Sequence, residues 1–239
     1  MRPIITVVVP VLNEEENLRT TLESLRAQTF KDYELIVVDN GSTDRSLEIA
    51  RQHADLVLFE ERRGAVWAMH RGFLSARGEF LAGADADTIY PPTWLAKMVR
   101  ALSKPGTVAA YGPMGFRESP TPLKELEAFG YGVLAIFSRL FGVHLTGAAN
   151  FGFHKEAYIE VGGYEKFGHL ASPDFWLSLN LKKIGKVRFV PNMVCYTSNR
   201  RFVKLRWKAG FLAFWFWLDV ALRRGRLTAE DYWRLVRQV

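Results

Sequence analysis

Residues 4–16 read IITVVVPVLNEEE: an unbroken apolar run from Ile4 to Val9, then Pro10, then Asn13 and three acids in a row. A strand that is apolar at successive positions, rather than at alternate ones, has both faces buried, which marks a parallel sheet covered by helices. Asn13 is the expected N-cap of the next helix. Glu14, Glu15 and Glu16 would occupy its first turn, where they suit the positive end of the dipole, and Leu18, Leu22 and Leu25 would form its buried stripe.

Working outward, the same unit recurs. A strand is predicted over 33–38, a turn-rich segment from Asp39 to Asp44, and a helix starting near Leu47. Then come a short strand over 56–59, a helix over 65–76 and a strand over 79–82 that runs into Asp85. This βαβαβαβ order places the chain in the α/β class, with a mostly parallel central sheet flanked by helices. Further on, the pattern predicts a helix over 92–103 behind Pro91 and Pro92 and a strand over 107–112. A long helix over 123–143 follows, apolar nearly all round, then a Gly-rich stretch over 147–152, a helix over 173–184 and a strand over 187–196, broken near Pro191. Two helical segments, 202–224 and 228–238, close the chain. The expected division is a catalytic domain over 1–200 and a basic, aromatic helical segment over 201–239, either interfacial or oligomerising.

With 49% hydrophobic and 24% charged residues over 239 positions, the composition supports a sizeable core and excludes disorder as the main state. The single cysteine, Cys195, excludes an internal disulfide and a thiolate zinc cage. The first apolar run meets Pro10 and the acids too soon to read as a signal peptide, and the apolar stretch 209–222 is shorter than the roughly 20 residues a spanning helix needs. The net charge of +7 is uneven: 14 cations against three acids lie in residues 182–239, and the rest of the chain is mildly acidic.

Three polar loops fall at predicted strand ends, where open parallel sheets bind ligands: Pro10–Glu14, Asp39–Asp44 and Asp85-Ala86-Asp87. Asp39 could accept from the N–H of a base, although Asn40-Gly-Ser-Thr-Asp44 also makes sense as a turn and helix cap. Two carboxylates at i and i+2 can chelate one hard cation, although a solvated turn has the same composition.

The ordered set resembles the inverting family-two glycosyltransferases, carried by VVVPVLNEEENL, ELIVVDNGSTDRS, RRGAVWAMHRGFLSARGEFLAGADADTIYPPTWL, TGAANFGFHKEAYIEVGGYE and SPDFWLSLNLKKIG. The resemblance implies a GT-A fold and a nucleoside diphosphate sugar donor. The donor would be held by Pro10, Asn13, Glu14, Asp39, Asn40, Arg62, Gly64, Asp85 and Ala86. Arg200 and Arg201 are candidates for the diphosphate, since guanidinium forks suit phosphate oxygens, with a solvated basic turn as their alternative. Asp87 and Asp85 would ligate Mn²⁺ or Mg²⁺. It also implies a catalytic base in a Glu-Asp pair opening a helix. Here that pair reads Pro173-Asp174, so Asp174 is the candidate base, with a helix N-terminal acid as its structural alternative. Gly147, Asn150, His169 and Trp176 are the candidate acceptor residues, with a merely structural role as the alternative for His169. A processive polymerase is disfavoured, because Val203 stands where the Gln of the family's Gln-X-X-Arg-Trp motif would precede Arg206-Trp207.

The segment 208–226, KAGFLAFWFWLDVALRRGR, has aromatic and aliphatic residues between basic flanks, the composition of a helix lying on an anionic membrane surface. Packing on the sheet or pairing in a homo-oligomer would suit it too, whereas no nucleic-acid module matches. The expected protein is a metal-dependent hexosyltransferase acting on a hydroxyl or phosphate acceptor, lipid-linked or a glycan, at the cytosolic face of a membrane. The rival readings are a non-catalytic sugar-nucleotide scaffold and a sugar nucleotidyltransferase. The second would need a basic Gly-rich loop after the first strand, where Asn13–Glu16 has the wrong charge.

Overall fold

A computed structural model describes residues 2–200; Arg201 and every expectation placed on 201–239, including Arg206-Trp207 and the two helical segments, lie outside the described residues. The chain begins with β1 (Ile5–Val11), α1 (Leu18–Arg26), β2 (Tyr33–Asp39), α2 (Ser46–His53), β3 (Leu56–Phe59), α3 (Ala65–Ser75) and β4 (Phe80–Gly83). These four strands are mutually parallel and lie side by side in the order β3-β2-β1-β4. Every residue of β1 is buried, as an apolar run requires, and its one polar side chain, Thr6, donates to Glu34 and accepts from Gly78 N.

β5 (Thr88–Ile89), α4 (Trp94–Leu102), β6 (Thr107–Tyr111), β7 (Met114–Phe116) and α5 (Leu123–Leu140) follow. The described chain ends with β8 (Phe151–His154), α6 (Lys155–Glu160), α7 (Gly163–Phe167), α8 (Pro173–Ile184), β9 (Lys186–Phe189) and β10 (Cys195–Thr197). The main sheet runs β3-β2-β1-β4-β8-β6-β9, with β8 antiparallel to both neighbours, and a small second sheet runs β5-β10-β7. Two hydrophobic clusters lie on opposite faces of the main sheet. Leu18, Leu22, Leu25, Trp94 and Met98 of α1 and α4 pack on one, and Met69, Phe73, Leu177 and Leu181 of α3 and α8 on the other.

Several expected boundaries move, each for a local reason. α1 starts at Leu18, not after Asn13. Asn13 is left-handed, with φ 55°, and its side chain accepts from Thr43 N at 2.8 Å, so the acids form a turn outside the helix. The strand expected over 187–196 splits into β9 and β10, which belong to different sheets, and Pro191, which lacks an N–H to continue a ladder, falls between them. The long helix stops at Leu140, two residues before Gly142 takes a positive φ. The Gly-rich stretch contains the antiparallel strand β8. A Cβ at Gly152 would sit 2.6 Å from Met98 Sδ and 3.0 Å from the Leu81 carbonyl, so the glycine lets Met98 of α4 pack closely on this strand.

Candidate functional site

The parallel strands β1, β2 and β4 end at one edge of the sheet, and their three loops are tied together there. Asn13 N donates to Ser42 Oγ, Glu14 N to Ser46 Oγ, and Glu15 N to Asp44 Oδ2, at 2.8–3.0 Å. Asp39 is buried, and its carboxylate accepts from Gly41 N and Ser42 N. Asn40 clamps the next loop, donating to the carbonyls of Glu60 and Arg62 and accepting from Gly64 N. Pro10 pairs in register with Val38 inside the sheet. The second loop thus makes a turn, with Asp44 Oδ1 accepting from Ser46 N at the start of α2, and this bonding gives the rim of the site a defined shape.

Arg62 is exposed but has three partners. It bonds Glu60 and Glu165 at 3.1 and 3.0 Å and lies over the Trp67 ring at 4.5 Å. Glu165 also takes His70 Nε2 at 3.4 Å, which ties this loop to α7. Burial pushes the His70 pKa down.

The acid pair follows β4. Asp85 N donates to the Tyr90 hydroxyl at 2.9 Å, and Tyr90 in turn donates to Ala149 O. Ala86 is buried, its carbonyl accepting from Thr21 Oγ1. Asp87 is buried, with its Oδ2 3.0 Å from an Arg200 nitrogen, and the same guanidinium bonds Glu14. A cation therefore stands against these carboxylates, and hydrogen bonding to Glu14 pushes the Arg200 pKa further up. Among the described residues no group of three or more His, Cys, Asp or Glu side chains could hold a metal. Two carboxylates completed by diphosphate oxygens are nonetheless an ordinary set for Mg²⁺ or Mn²⁺, so Asp85 and Asp87 fit such an ion as part of a donor complex.

Asp174 sits at the start of α8 and connects to this edge through Ala148. Its Oδ2 accepts from Ala148 N at 3.1 Å, and the Ala148 carbonyl lies so close to β4 that a Cβ on Gly83 would approach it to 2.5 Å. Its Oδ1 accepts from the Tyr164 hydroxyl. The residue keeps some contact with solvent, but its carboxyl is enclosed. Burial raises its pKa to about 6, against the two hydrogen bonds, which lower it. The Tyr164 phenol is pushed far up by burial first and then by Asp174, with Asp85 adding a smaller push.

Of the candidate acceptor residues, Gly147 immediately precedes Ala148, and Trp176 follows Asp174 by two positions with its indole N–H buried and without a partner among the described residues. His169 is exposed. Asn150 braces the interior instead: it is 1% exposed, accepts from Trp94 Nε1, and spends both amide hydrogens on the carbonyls of Pro113 and Met193. Sequence reasoning misses Tyr164, Tyr90 and Glu165. The one hint is the position of Tyr164 directly after Gly162-Gly163, where a Cβ on Gly163 would come within 2.5 Å of the Tyr158 ring.

The model of the family described as "Glycosyl transferase family 2" matches residues 6–162. The glycosyltransferase AglE of Haloferax volcanii is 34% identical over 122 residues, 48% of this chain and 40% of AglE. The uncharacterized glycosyltransferase YibD of Escherichia coli K12 is 36% identical over 104 residues, 41% of this chain and 30% of YibD. The matched stretch spans less than half the length of either relative. Among solved structures, the mannosyltransferase PcManGT from Pyrobaculum calidifontis, in complex with GDP-Man and Mn²⁺, aligns with TM-score 0.70 at 22% identity, covering 99% of this chain and 69% of that one. S. aureus TarS 1-349 in complex with UDP-GlcNAc aligns with TM-score 0.63 at 18% identity, covering 81% and 58%. The architecture is the GT-A fold.

Proposed function

The chain belongs to glycosyl transferase family 2 and is a glycosyltransferase, and from that premise we propose that it transfers a sugar with inversion from a UDP- or GDP-sugar to a hydroxyl acceptor, with Asp174 as the base. The carrying observation is the Asp174 carboxyl, enclosed, held by Tyr164 and Ala148 N, and raised to about 6. An acid of that strength is ionised at neutral pH yet basic enough to take a proton, which suits general base catalysis.

Asp174 orients one carboxylate oxygen by its bond to Ala148 N and the other by its bond to Tyr164, and receives the acceptor's proton as the hydroxyl attacks the anomeric carbon. Glu14 and the loop around Asp39 hold the nucleoside, and Arg200 pairs with the diphosphate as it departs. A Mn²⁺ or Mg²⁺ ion held by Asp85 and Asp87 would supply charge neutralisation for that leaving group. The Ala148 backbone links the base to the end of β4.

The acceptor is proposed to be lipid-linked and the enzyme to work at the cytosolic face of a membrane, on the strength of the basic aromatic composition of 208–226 and the exposed apolar residues of α5. No helix among the described residues is long and apolar enough to cross a membrane. A phosphate acceptor is the second reading. A phosphate monoester loses its last proton near pH 6 and needs no base, so the base held by Tyr164 favours the hydroxyl.

The test is a panel of UDP-, GDP- and dTDP-sugars assayed for donor hydrolysis and transfer, with and without Mn²⁺. Turnover of one donor that disappears in Asp174→Asn, the fold being retained, is the expected result. Retained transfer in that variant would remove Asp174 from the mechanism, and silence with every donor would favour a scaffold.

A further inference from the structure

Away from the donor loops, the edge strand β9 borders a groove of about 1030 Å³. One wall is α4 and the turn after it, with Lys97, Arg100 and Lys104; the other is the last turn of α5 and the end of α8, with Arg139 and Lys182; β9 itself adds Lys186 and Arg188 along the floor. No acid lines it, and among the described residues none of these seven cations is ion-paired with a carboxylate. Concentrating so much like charge without counter-charge costs folding energy, and a bound anion would relieve it.

The second observation is a buried imidazole nitrogen with nothing to bind. His144 lines the groove, is 5% exposed, and its Nε2 has no partner among the described residues. Its Nδ1 faces the Tyr111 hydroxyl at 3.4 Å; with that hydroxyl donating, the ring proton sits on Nε2. Burial, then Lys182 and Arg139, lower the His144 pKa to about 4, so the ring is neutral at ordinary pH and offers an N–H rather than another charge. A buried N–H left unpaired calls for an acceptor.

The third observation concerns the rim. Ile136 and Leu140 line the groove on the α5 side and belong to an exposed apolar stripe that also takes in Leu126, Phe129, Val133 and Phe137. A free phosphate has no use for such a wall, whereas an amphiphile with an anionic head does.

We infer that the groove between α4, the end of α5 and β9 receives the phosphate headgroup of an anionic phospholipid, with α5 lying against the acyl boundary of the same leaflet. This rests on the proposed membrane location and deepens it, by naming the surface that meets lipid and the headgroup charge it selects. It is independent of the acceptor's identity.

The test uses the full chain and co-sedimentation with vesicles of phosphatidylcholine alone or mixed with phosphatidylglycerol. The exposed cations Lys104, Arg139 and Lys182 are reversed together as K104E/R139E/K182E, and Arg19, Lys31 and Arg51, from the α1–α2 region beside the other end of the sheet, serve as a matched control, R19E/K31E/R51E. The expected result is binding to the mixed vesicles that falls about 100-fold in the groove variant and much less in the control. Equal losses in both variants, or no loss in the groove variant, would overturn the groove while leaving membrane binding in place; no binding by the unaltered chain would overturn both. As a second measurement, short-chain phosphatidylglycerol below its micelle concentration should shift the His144 ring resonances. An equal shift with inorganic phosphate would make the groove a free-anion site and refute the lipid assignment. Donor hydrolysis should be unchanged in the groove variant, which separates this proposal from the catalytic one.

Discussion

Replacing Tyr164 by phenylalanine tests how the site tunes its base. The Asp174 carboxyl has two donors, Tyr164 Oη and Ala148 N, and both work against burial, which is the larger influence and raises its pKa to about 6. The Y164F substitution would keep the ring packed among Tyr158 and Phe73 while removing one donor. A hydrogen bond to a charged group contributes roughly 1.5–3 kcal/mol, and about 1.4 kcal/mol corresponds to one pH unit, so the carboxyl should climb to roughly 7–8. The acid limb of kcat/KM for the free enzyme should move up by the same amount. At neutral pH the variant should run roughly two- to tenfold slower, with the deficit closing as pH approaches about 9, because the base is then ionised again. A folded Y164F protein whose acid limb stays near pH 6 would refute the reasoning, as would a deficit that alkaline pH does not repair. The stability sign follows from the same shift. An aspartate whose folded pKa of about 6 exceeds its unfolded value of ~3.9 binds its proton more tightly when folded, so it costs stability as pH rises from about 4 to about 6. Asp174→Asn should flatten that slope in urea titrations across this window.

Asp87→Asn withdraws the carboxylate that Arg200 now contacts and that a metal would need; Mn²⁺-supported donor binding should weaken about 10- to 100-fold by calorimetry, and an unchanged affinity would argue that Asp87 is structural. Gly163→Ala drives a Cβ to 2.5 Å from the Tyr158 ring at a φ of 48°, and should cost about 1–3 kcal/mol by urea denaturation. Asn150→Ala strands Trp94 Nε1 and the Met193 carbonyl and leaves the Pro113 carbonyl with Cys195 N alone, so a loss of about 3 kcal/mol is expected; wild-type stability would show that water replaces the amide.

The apolar run Ile5–Val9 identifies a doubly covered parallel sheet from the sequence alone, because burial on both faces removes the polar alternation that an exposed strand needs. The spacing of Leu18, Leu22 and Leu25 and the Pro173 start of α8 are legible for the same reason: helix period and proline chemistry are local. The candidate acids Asp85, Asp87 and Asp174 are legible as residues, though not as a site. β8 escapes a local reading, because it pairs antiparallel with β4 and β6, strands distant in sequence, and its Gly152 packs close to Met98 of another helix. The capping role of Asn13 is redirected by a loop 30 residues downstream, and Asn150 is drawn inward by three partners that no spacing rule connects. The chemistry of Asp174 likewise belongs to the tertiary structure. The sequence supplies a carboxyl at a helix start, where its pKa would ordinarily be depressed, and only enclosure by the fold, with Tyr164 and Ala148 brought to it, turns that acid into a group of about pKa 6. Local residue types determined which groups were available; long-range packing decided which were desolvated and paired, since desolvation is a property of the surrounding volume rather than of neighbours along the chain.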